Sequence, residues 1–126
     1  MKRIWAAVIL LVLTVTACVA GISCTKKITS QMTRTVTMAK DAQERGDEET
    51  ACKISEQAAK DWRDAHRFLC VYMVHDRLEA IDQTLAALPE LCRNGAKDEF
   101  LSECDCGLTQ ISYLNESEVP NLDNIF

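Results

Sequence analysis

The chain begins with a run of uncharged, mostly apolar residues that is long enough to cross a membrane. Two basic residues precede the run, which extends from Ile4 to Thr25, and Lys26 and Lys27 follow it. As a helix, residues 4–24 would extend about 31 Å at ~1.5 Å per residue, the thickness of a bilayer's hydrocarbon core. The sequence therefore predicts that the lipid bilayer is a partner of this chain through residues 4–24.

Three fates of this segment agree with its residues. An uncleaved anchor is preferred because the apolar run continues past Cys18, and basic residues before it favour a cytoplasmic N-terminus. Alternatively, Val15-Thr16-Ala17-Cys18 has the form of a bacterial lipobox, which makes Cys18 a candidate lipidation site. A plain signal-peptidase cut after Ala17 or Ala20 is the third alternative. In each case the bulk of the chain lies outside the cytoplasm, on the outer face of the cytoplasmic membrane if it is anchored.

Composition limits the rest of the chain to one small, acidic, helical domain. All 19 acidic residues, but only 12 of the 14 basic ones, follow residue 25, so this part has a net charge of about −7. Such a charge argues against a nucleic-acid partner. Glycine and proline are scarce, and we find no alternating β-branched run that would indicate a strand.

Apolar periodicity predicts an all-α fold with a membrane helix, a stalk and an antiparallel three-helix bundle. The predicted divisions are residues 1–25 for the anchor or signal segment, 26–46 for the helical stalk and 47–126 for the bundle. Gly46 and Asn94-Gly95 indicate helix ends. The last helix is expected from Lys97 to Leu114, with an extended tail over residues 116–126. We expect Trp62 at the centre of the core and the apolar run 68–74 to be the most buried segment.

Several segments of the chain are familiar from a known family: Trp62, His75-Asp76, Leu78-Glu79-Ala80-Ile81, Leu85, Leu88, Glu116-Ser117-Glu118, Pro120, Leu122 and Asn124-Ile125-Phe126. Through these segments the chain resembles a family of small bacterial membrane proteins, mostly from spore-forming Gram-positive organisms, that is defined as a domain of unknown function. The resemblance spans essentially the whole chain and implies membrane anchoring and a helical domain, without an established activity. The family usually has Leu where this chain ends in Phe126, and its members are poor in cysteine.

His75, Asp76 and Glu79 are the first candidate site residues. Asp76 and Glu79 have the spacing of the N-cap and the third residue of a capping box, and this explains them without a functional role. The other interpretation is a polar contact for a partner or ligand. His66 and His75 lie nine residues apart, on opposite faces if one helix contains both, so we expect no shared metal.

Cysteine chemistry has weaker support in the sequence. His66 and Cys70 could supply two zinc ligands, but no second pair completes a four-ligand site. Five cysteines follow the apolar run, so at least one lacks a partner within the chain, and a Cys92–Cys104 disulfide would join two helices. Cys104 is on the apolar seam and Cys106 is expected to be exposed.

No catalytic motif, cofactor motif or metal site stands out, so we predict a non-catalytic protein-interaction module, binding an unknown partner or a second copy. The alternative is a cell-envelope lipoprotein that binds a ligand or metal. A redox enzyme that uses Cys104 or Cys106 is a third hypothesis.

Overall fold

The computed structural model describes residues 1–71, 73 and 75–118, apart from the side chains of residues 117 and 118. Over these residues the chain is all-α, as predicted, and contains no strand. The helices are α1 (Lys2–Glu44), α2 (Glu48–Leu69), α3 (His75–Arg93) and α4 (Lys97–Glu118). Because α4 continues to Glu118, it covers the start of the predicted tail, and the remainder of that tail lies outside the described residues.

Glycine in the left-handed region ends α1 and α3, as the sequence predicted. Gly46 has a φ of +82° and Gly95 a φ of +72°, which residues with a Cβ rarely adopt. The amide after Gly46 donates to the Ala42 carbonyl at 2.9 Å, and the amide after Gly95 donates to the Leu91 carbonyl at 3.1 Å. These bonds satisfy carbonyls that the helix leaves free and turn the chain back sharply.

Asp47 caps the start of α2. Its Oδ1 accepts a hydrogen bond from the Thr50 amide at 3.2 Å. Hydrogen bonding from the Thr50 side chain and then from its amide holds the pKa of Asp47 below its ordinary value of 3.8. Glu48 and Glu49 follow in the first turn, where the helix dipole favours negative charge.

Each helix packs against two others, and the contacts close into a ring. α1 and α3 each pack along α2 and α4, and across one diagonal the Cys92 thiol of α3 lies 3.9 Å from the Gln43 side-chain oxygen of α1. This is the arrangement of a four-helix bundle. It differs from the predicted stalk and three-helix bundle because the second half of α1 is itself one of the packed helices. The predicted divisions at residues 25 and 46 stay predictions.

Trp62 lies in the core, as predicted, with 1 % of its surface exposed. Other large side chains that are fully buried come from all four helices, including Met32, Phe100, Leu78, Ile81, Leu85, Leu88 and Ile111. The expectation that residues 68–74 form the most buried segment was wrong for the residues described. Leu69 is buried, but Phe68 is 39 % exposed and Val71 is 75 % exposed, because the chain turns here between α2 and α3.

The first half of α1 has a different environment from the second. Apolar side chains from Ile4 to Val19 project from the protein on all sides, and the first buried residue of α1 is Gly21. By length and composition this helix could cross a membrane, a property that a signal sequence near the N-terminus shares. The part of α1 that packs in the bundle therefore starts inside the apolar run.

Candidate binding groove between α2 and α3

A cluster of three side chains joins α2 to α3. Trp62 and His66 lie one turn apart on α2, and both reach Asp82 of α3. The Trp62 Nε1–H donates to Asp82 Oδ1. The His66 Nδ1 lies 3.0 Å from Asp82 Oδ1 and 2.8 Å from Oδ2. The buried indole therefore has the polar partner that it needs, and the same carboxylate orients the imidazole.

Asp82 fixes which nitrogen of His66 carries a proton. An ionised carboxylate can only accept hydrogen bonds, so Nδ1 is the protonated nitrogen and Nε2 of the neutral ring remains an acceptor. The His75 ring lies close by, with its centroid 6.0 Å from that of His66. The two histidines are not in one helix, the condition on which they were expected to lie on opposite faces, because the chain turns between α2 and α3 and brings their rings together.

Of these residues, His66 and Asp82 line a groove of about 880 Å³ between the two helices. Ala59, Leu85, Ala86 and Pro89 supply its apolar part. The polar and charged residues that line it are Glu56, Arg63, His66, Arg67, Cys70, Asp82 and Arg93. The groove thus combines an apolar floor with a concentration of arginine that is unusual in a chain of net charge −5.

Two of the arginines in the groove make no salt bridge within the described part of the chain. Arg93 lies 3.8 Å from Glu56, whereas neither Arg63 nor Arg67 makes a salt bridge with any residue that the structure describes. They are four residues apart on α2, so their guanidinium groups lie on the same face of that helix. A guanidinium binds carboxylate or phosphate through two parallel hydrogen bonds. This part of the groove can therefore bind an anionic group.

α3 begins at His75, so Asp76 lies in its first turn. The capping box predicted for Asp76 and Glu79 stays a prediction. The charge of Asp76 suits the positive end of the helix dipole. Of the predicted site residues on this helix, only His75 lies against the cluster, through its ring contact with His66.

The structure joins Cys92 to Cys52, not to Cys104 as predicted. The Cα atoms of Cys52 and Cys92 are 5.5 Å apart, where antiparallel α2 and α3 face each other. Cys104 lies two turns into α4 and is a buried free thiol. Burial raises its pKa to about 12, which keeps the thiol neutral. Cys106 is exposed and free.

Cys70, which could supply a zinc ligand together with His66, lines the groove but bonds to the backbone. The Cys70 thiol donates to the Arg67 carbonyl at 3.2 Å, within its own helix turn. In the described part of the chain, no three His, Cys, Asp or Glu side chains are grouped as metal ligands. Cys18, the candidate lipidation site, is exposed on the unpacked half of α1.

Sequence reasoning missed Asp82 and the groove arginines. One signal could have found Asp82: Trp62 was expected in the core, and a buried indole N–H needs an acceptor. Asp82 follows Ile81 of the apolar seam directly and is a carboxylate at the border of that seam. The arginines look like ordinary surface residues, and only the pairing of α2 with α3 places Arg93 in the same groove as Arg63 and Arg67.

Residues 19–125 match the sequence profile of a family described as a domain of unknown function, DUF4363. No curated protein and no solved structure matches the chain significantly. The matched range begins within the apolar run and includes the whole bundle.

Proposed function

The chain belongs to the DUF4363 family, a domain of unknown function, and on this premise we propose that it is a membrane-anchored, non-catalytic interaction module that binds an acidic segment of a partner protein in its α2–α3 groove. α1 is the single-pass anchor, and the bundle lies on the outer face of a bacterial cytoplasmic membrane. The observation that carries the binding part is the pair Arg63 and Arg67, which line the groove without a counter-charge among the described residues.

The anchor and its orientation have independent support. The first half of α1 exposes apolar side chains all round, which water does not favour and hydrocarbon does. Lys2 and Arg3 before it favour a cytoplasmic N-terminus. The Cys52–Cys92 disulfide is a bond that persists outside the cytoplasm. The first observation favours an anchor, and the other two favour a bundle on the outer face.

A partner with carboxylates fits the groove better than a small substrate does. The groove is open along two helices, and its charged residues are spread from Glu56 to Arg67 on α2 over about three turns. Such a length suits an extended or helical segment of another chain. His66 is held by Asp82, but the nearest thiol, Cys70, bonds to its own backbone, so the groove supports recognition more than nucleophilic catalysis.

The test is photo-crosslinking of the full-length protein in native membranes, with the crosslinker at Ala59 or Ala86 in the groove floor. We expect a defined crosslinked partner with an acidic contact segment. Changing both Arg63 and Arg67 to Gln should abolish the crosslink. The matched control, Arg34→Gln with Arg45→Gln, removes the same charge from α1 and its end and should leave the crosslink intact.

An equal crosslink yield in the Arg63→Gln/Arg67→Gln variant and in the control would reject the groove as the binding site. A measured turnover on some substrate, lost in His66→Gln, would instead show that the protein is an enzyme. Salt provides a further check, because an arginine–carboxylate contact at the surface weakens as ionic strength rises.

A lipoprotein anchored through Cys18 is the second candidate. It is favoured by the position of this exposed cysteine three residues before Gly21, where packing of α1 into the bundle begins. A lipid on Cys18 would therefore place the bundle directly at the membrane. Intact-mass spectrometry distinguishes the two anchors: a diacylglyceryl group on an N-terminal Cys18 indicates the lipoprotein, and retention of Met1 indicates the spanning helix.

A further inference from the structure

Along the long axis of the bundle, the C-terminal end of α2 lies at the same height as the residues of α1 that follow its exposed apolar half. α2 has 22 residues and extends about 33 Å. Counting the same length back along α1 from its end at Glu44 reaches Ser23. The Lys40–Asp105 salt bridge and the 3.5 Å contact between Thr29 Oγ1 and Asn115 Oδ1 give α4 the same alignment along α1. Leu69 is thus level with Ser23.

Packing along α1 agrees with this alignment. Gly21 and Thr25 are buried, so other parts of the chain cover α1 up to Gly21. Both residues belong to the uncharged run that starts at Ile4. The bundle therefore extends to the edge of the membrane segment, without a free length of α1 in between.

At that level, α2 presents apolar surface to its surroundings. Val71 is 75 % exposed and Phe68 is 39 % exposed, and we call these two residues the apolar tip of α2. Val19 of α1, 58 % exposed, lies just beyond them on the membrane side. Basic side chains of Lys26, Lys27 and Arg67 are exposed at about the same level. Apolar residues flanked by cations suit the headgroup region of a bilayer, whose phosphates are anionic.

We propose that the apolar tip of α2 inserts into the interface of the same bilayer that holds α1. The bundle then contacts the membrane at two points, through α1 and through the tip. This inference rests on the proposed anchoring of α1. The lipid bilayer is the occupant because the tip is continuous with the exposed apolar half of α1.

The second contact has a functional consequence. A helix that is attached at one point can rotate and tilt, whereas two contacts restrict the orientation of the bundle. The groove between α2 and α3 starts beside the tip, at Cys70, and runs away from the membrane to Arg93. Insertion of the tip therefore orients the long axis of the groove along the membrane normal. Arg67 then lies near the headgroups and Arg93 lies far from them.

Two native cysteines provide a matched test in the full-length chain. Cys70 is exposed beside the tip, and Cys106 is exposed on α4, next to the residue that pairs with Lys40. Cys106 therefore lies about 26 Å further from the membrane along the bundle. In each of two variants one of them carries a nitroxide spin label as the sole free thiol, with the other one, Cys18, Cys24 and Cys104 changed to Ala and the disulfide retained. The protein is reconstituted in phosphatidylethanolamine–phosphatidylglycerol vesicles.

We expect the Cys70 label to collide more often with oxygen, which concentrates in lipid, than with a water-soluble nickel chelate. The Cys106 label should show the reverse preference. Val71→Glu should shift the Cys70 label severalfold toward the aqueous pattern, while the protein still floats with the vesicles. A self-association contact would instead produce spin–spin broadening at Cys70.

Flotation separates this inference from the anchor. If the protein floats but both labels report an aqueous environment, the anchor is retained and the insertion of the tip is refuted. Broadening at Cys70 without oxygen preference would also refute it, in favour of a second copy as the occupant. If the protein does not float, anchoring of α1 itself fails and the inference fails with it.

Discussion

The two halves of α1 form one continuous helix in two environments. From Ile4 to Val19, apolar side chains are exposed around the whole circumference. From Gly21 onward, buried residues recur every three or four positions on one side, and the other side is polar. Both halves have the same backbone geometry, so the difference lies in what surrounds them: hydrocarbon in the first half, we propose, and other helices in the second.

The comparison shows that a domain boundary can fall inside a helix. The packed half uses small residues, such as Gly21, Ala39 and Ala42, which allow the neighbouring helices to approach closely. The exposed half uses Leu, Ile and Val, which suit a surface that faces lipid tails. The change in residue types within α1 therefore indicates where its environment changes, whereas the end of the helix at Glu44 does not.

The largest expected effect comes from a cavity in the packed half. Met32 is buried among the helices, and Met32→Ala should lower the free energy of unfolding by about 2–5 kcal/mol, because the side chain's contacts are lost and a cavity remains. Leu11→Ala, in the exposed half, should leave it unchanged. Urea unfolding in lipid nanodiscs, followed by circular dichroism, measures both. Equal losses would contradict the assignment of different environments.

The disulfide should contribute slightly less than this. Cys52 and Cys92 are 40 residues apart, and closing such a loop is expected to stabilise the fold by roughly 2–4 kcal/mol. Cys52→Ala with Cys92→Ala should therefore lower stability by that amount without changing membrane attachment. The matched control is Cys70→Ala with Cys106→Ala, which removes two exposed free thiols.

The compartment provides a separate check on the disulfide. If the packed half of α1 lies outside the cytoplasm, the bond should form in cells that export the chain and be absent when it is expressed without residues 2–20 in a reducing cytoplasm. Thiol counting after denaturation in the presence of an alkylating agent measures this. A reduced Cys52–Cys92 pair in membrane-bound protein would place the bundle on the cytoplasmic side.

A charge in the exposed half should act on insertion alone. Leu11→Arg is expected to cost about 2.5–3.5 kcal/mol for placing the residue near the bilayer centre. The protein should shift from the membrane to the soluble fraction on carbonate extraction, with the unfolding of the bundle unaffected. Thr33→Arg, at an exposed position of the packed half, is the control and should stay membrane-bound. Full retention of Leu11→Arg would argue against a spanning helix.

Local chemistry explains which parts of this fold were predictable. The ends at Gly46 and Gly95 depend on backbone conformations that neighbouring residues determine, and the sequence placed them correctly. The burial of Trp62 followed from its size and its position on an apolar face. The packing of α1 as a fourth helix of the bundle was not predicted, because a stripe that contains Ala39 and Ala42 carries little hydrophobic signal. Small residues are nevertheless what close packing between helices requires.

Pairing between helices explains what was not predictable. Cys92 could reach Cys52 or Cys104 by sequence alone, and only the alignment of α2 with α3 selects Cys52. The contact between His66 and His75 likewise depends on where the chain turns. The candidate groove is built from such pairings, so its residues were visible in the sequence but their proximity was not.

The smallest expected effect on stability concerns the thiol of Cys104. This residue of α4 is buried in the bundle, whereas Cys18 is exposed on the first half of α1. Burial and, to a smaller extent, the Asp105 charge raise the pKa of Cys104 from 9.0 to about 12, against the opposing charge of Lys40. Because the folded-state pKa exceeds the unfolded value, the neutral thiol stabilises the fold fully below pH 9. That contribution is lost as the pH rises from 9 toward 12.

Wild-type protein should therefore lose more Tm between pH 8 and pH 10.5 than Cys104→Ala does. The comparison between the two proteins is needed because Lys40, whose pKa is raised by its hydrogen bond to Asp105, titrates in the same direction in both. Parallel falls in Tm would mean that the thiol ionises freely in the folded protein. A maleimide at pH 8 gives a second reading: urea should unmask Cys104, whereas detergent should unmask Cys18, since protein shields one thiol and lipid the other.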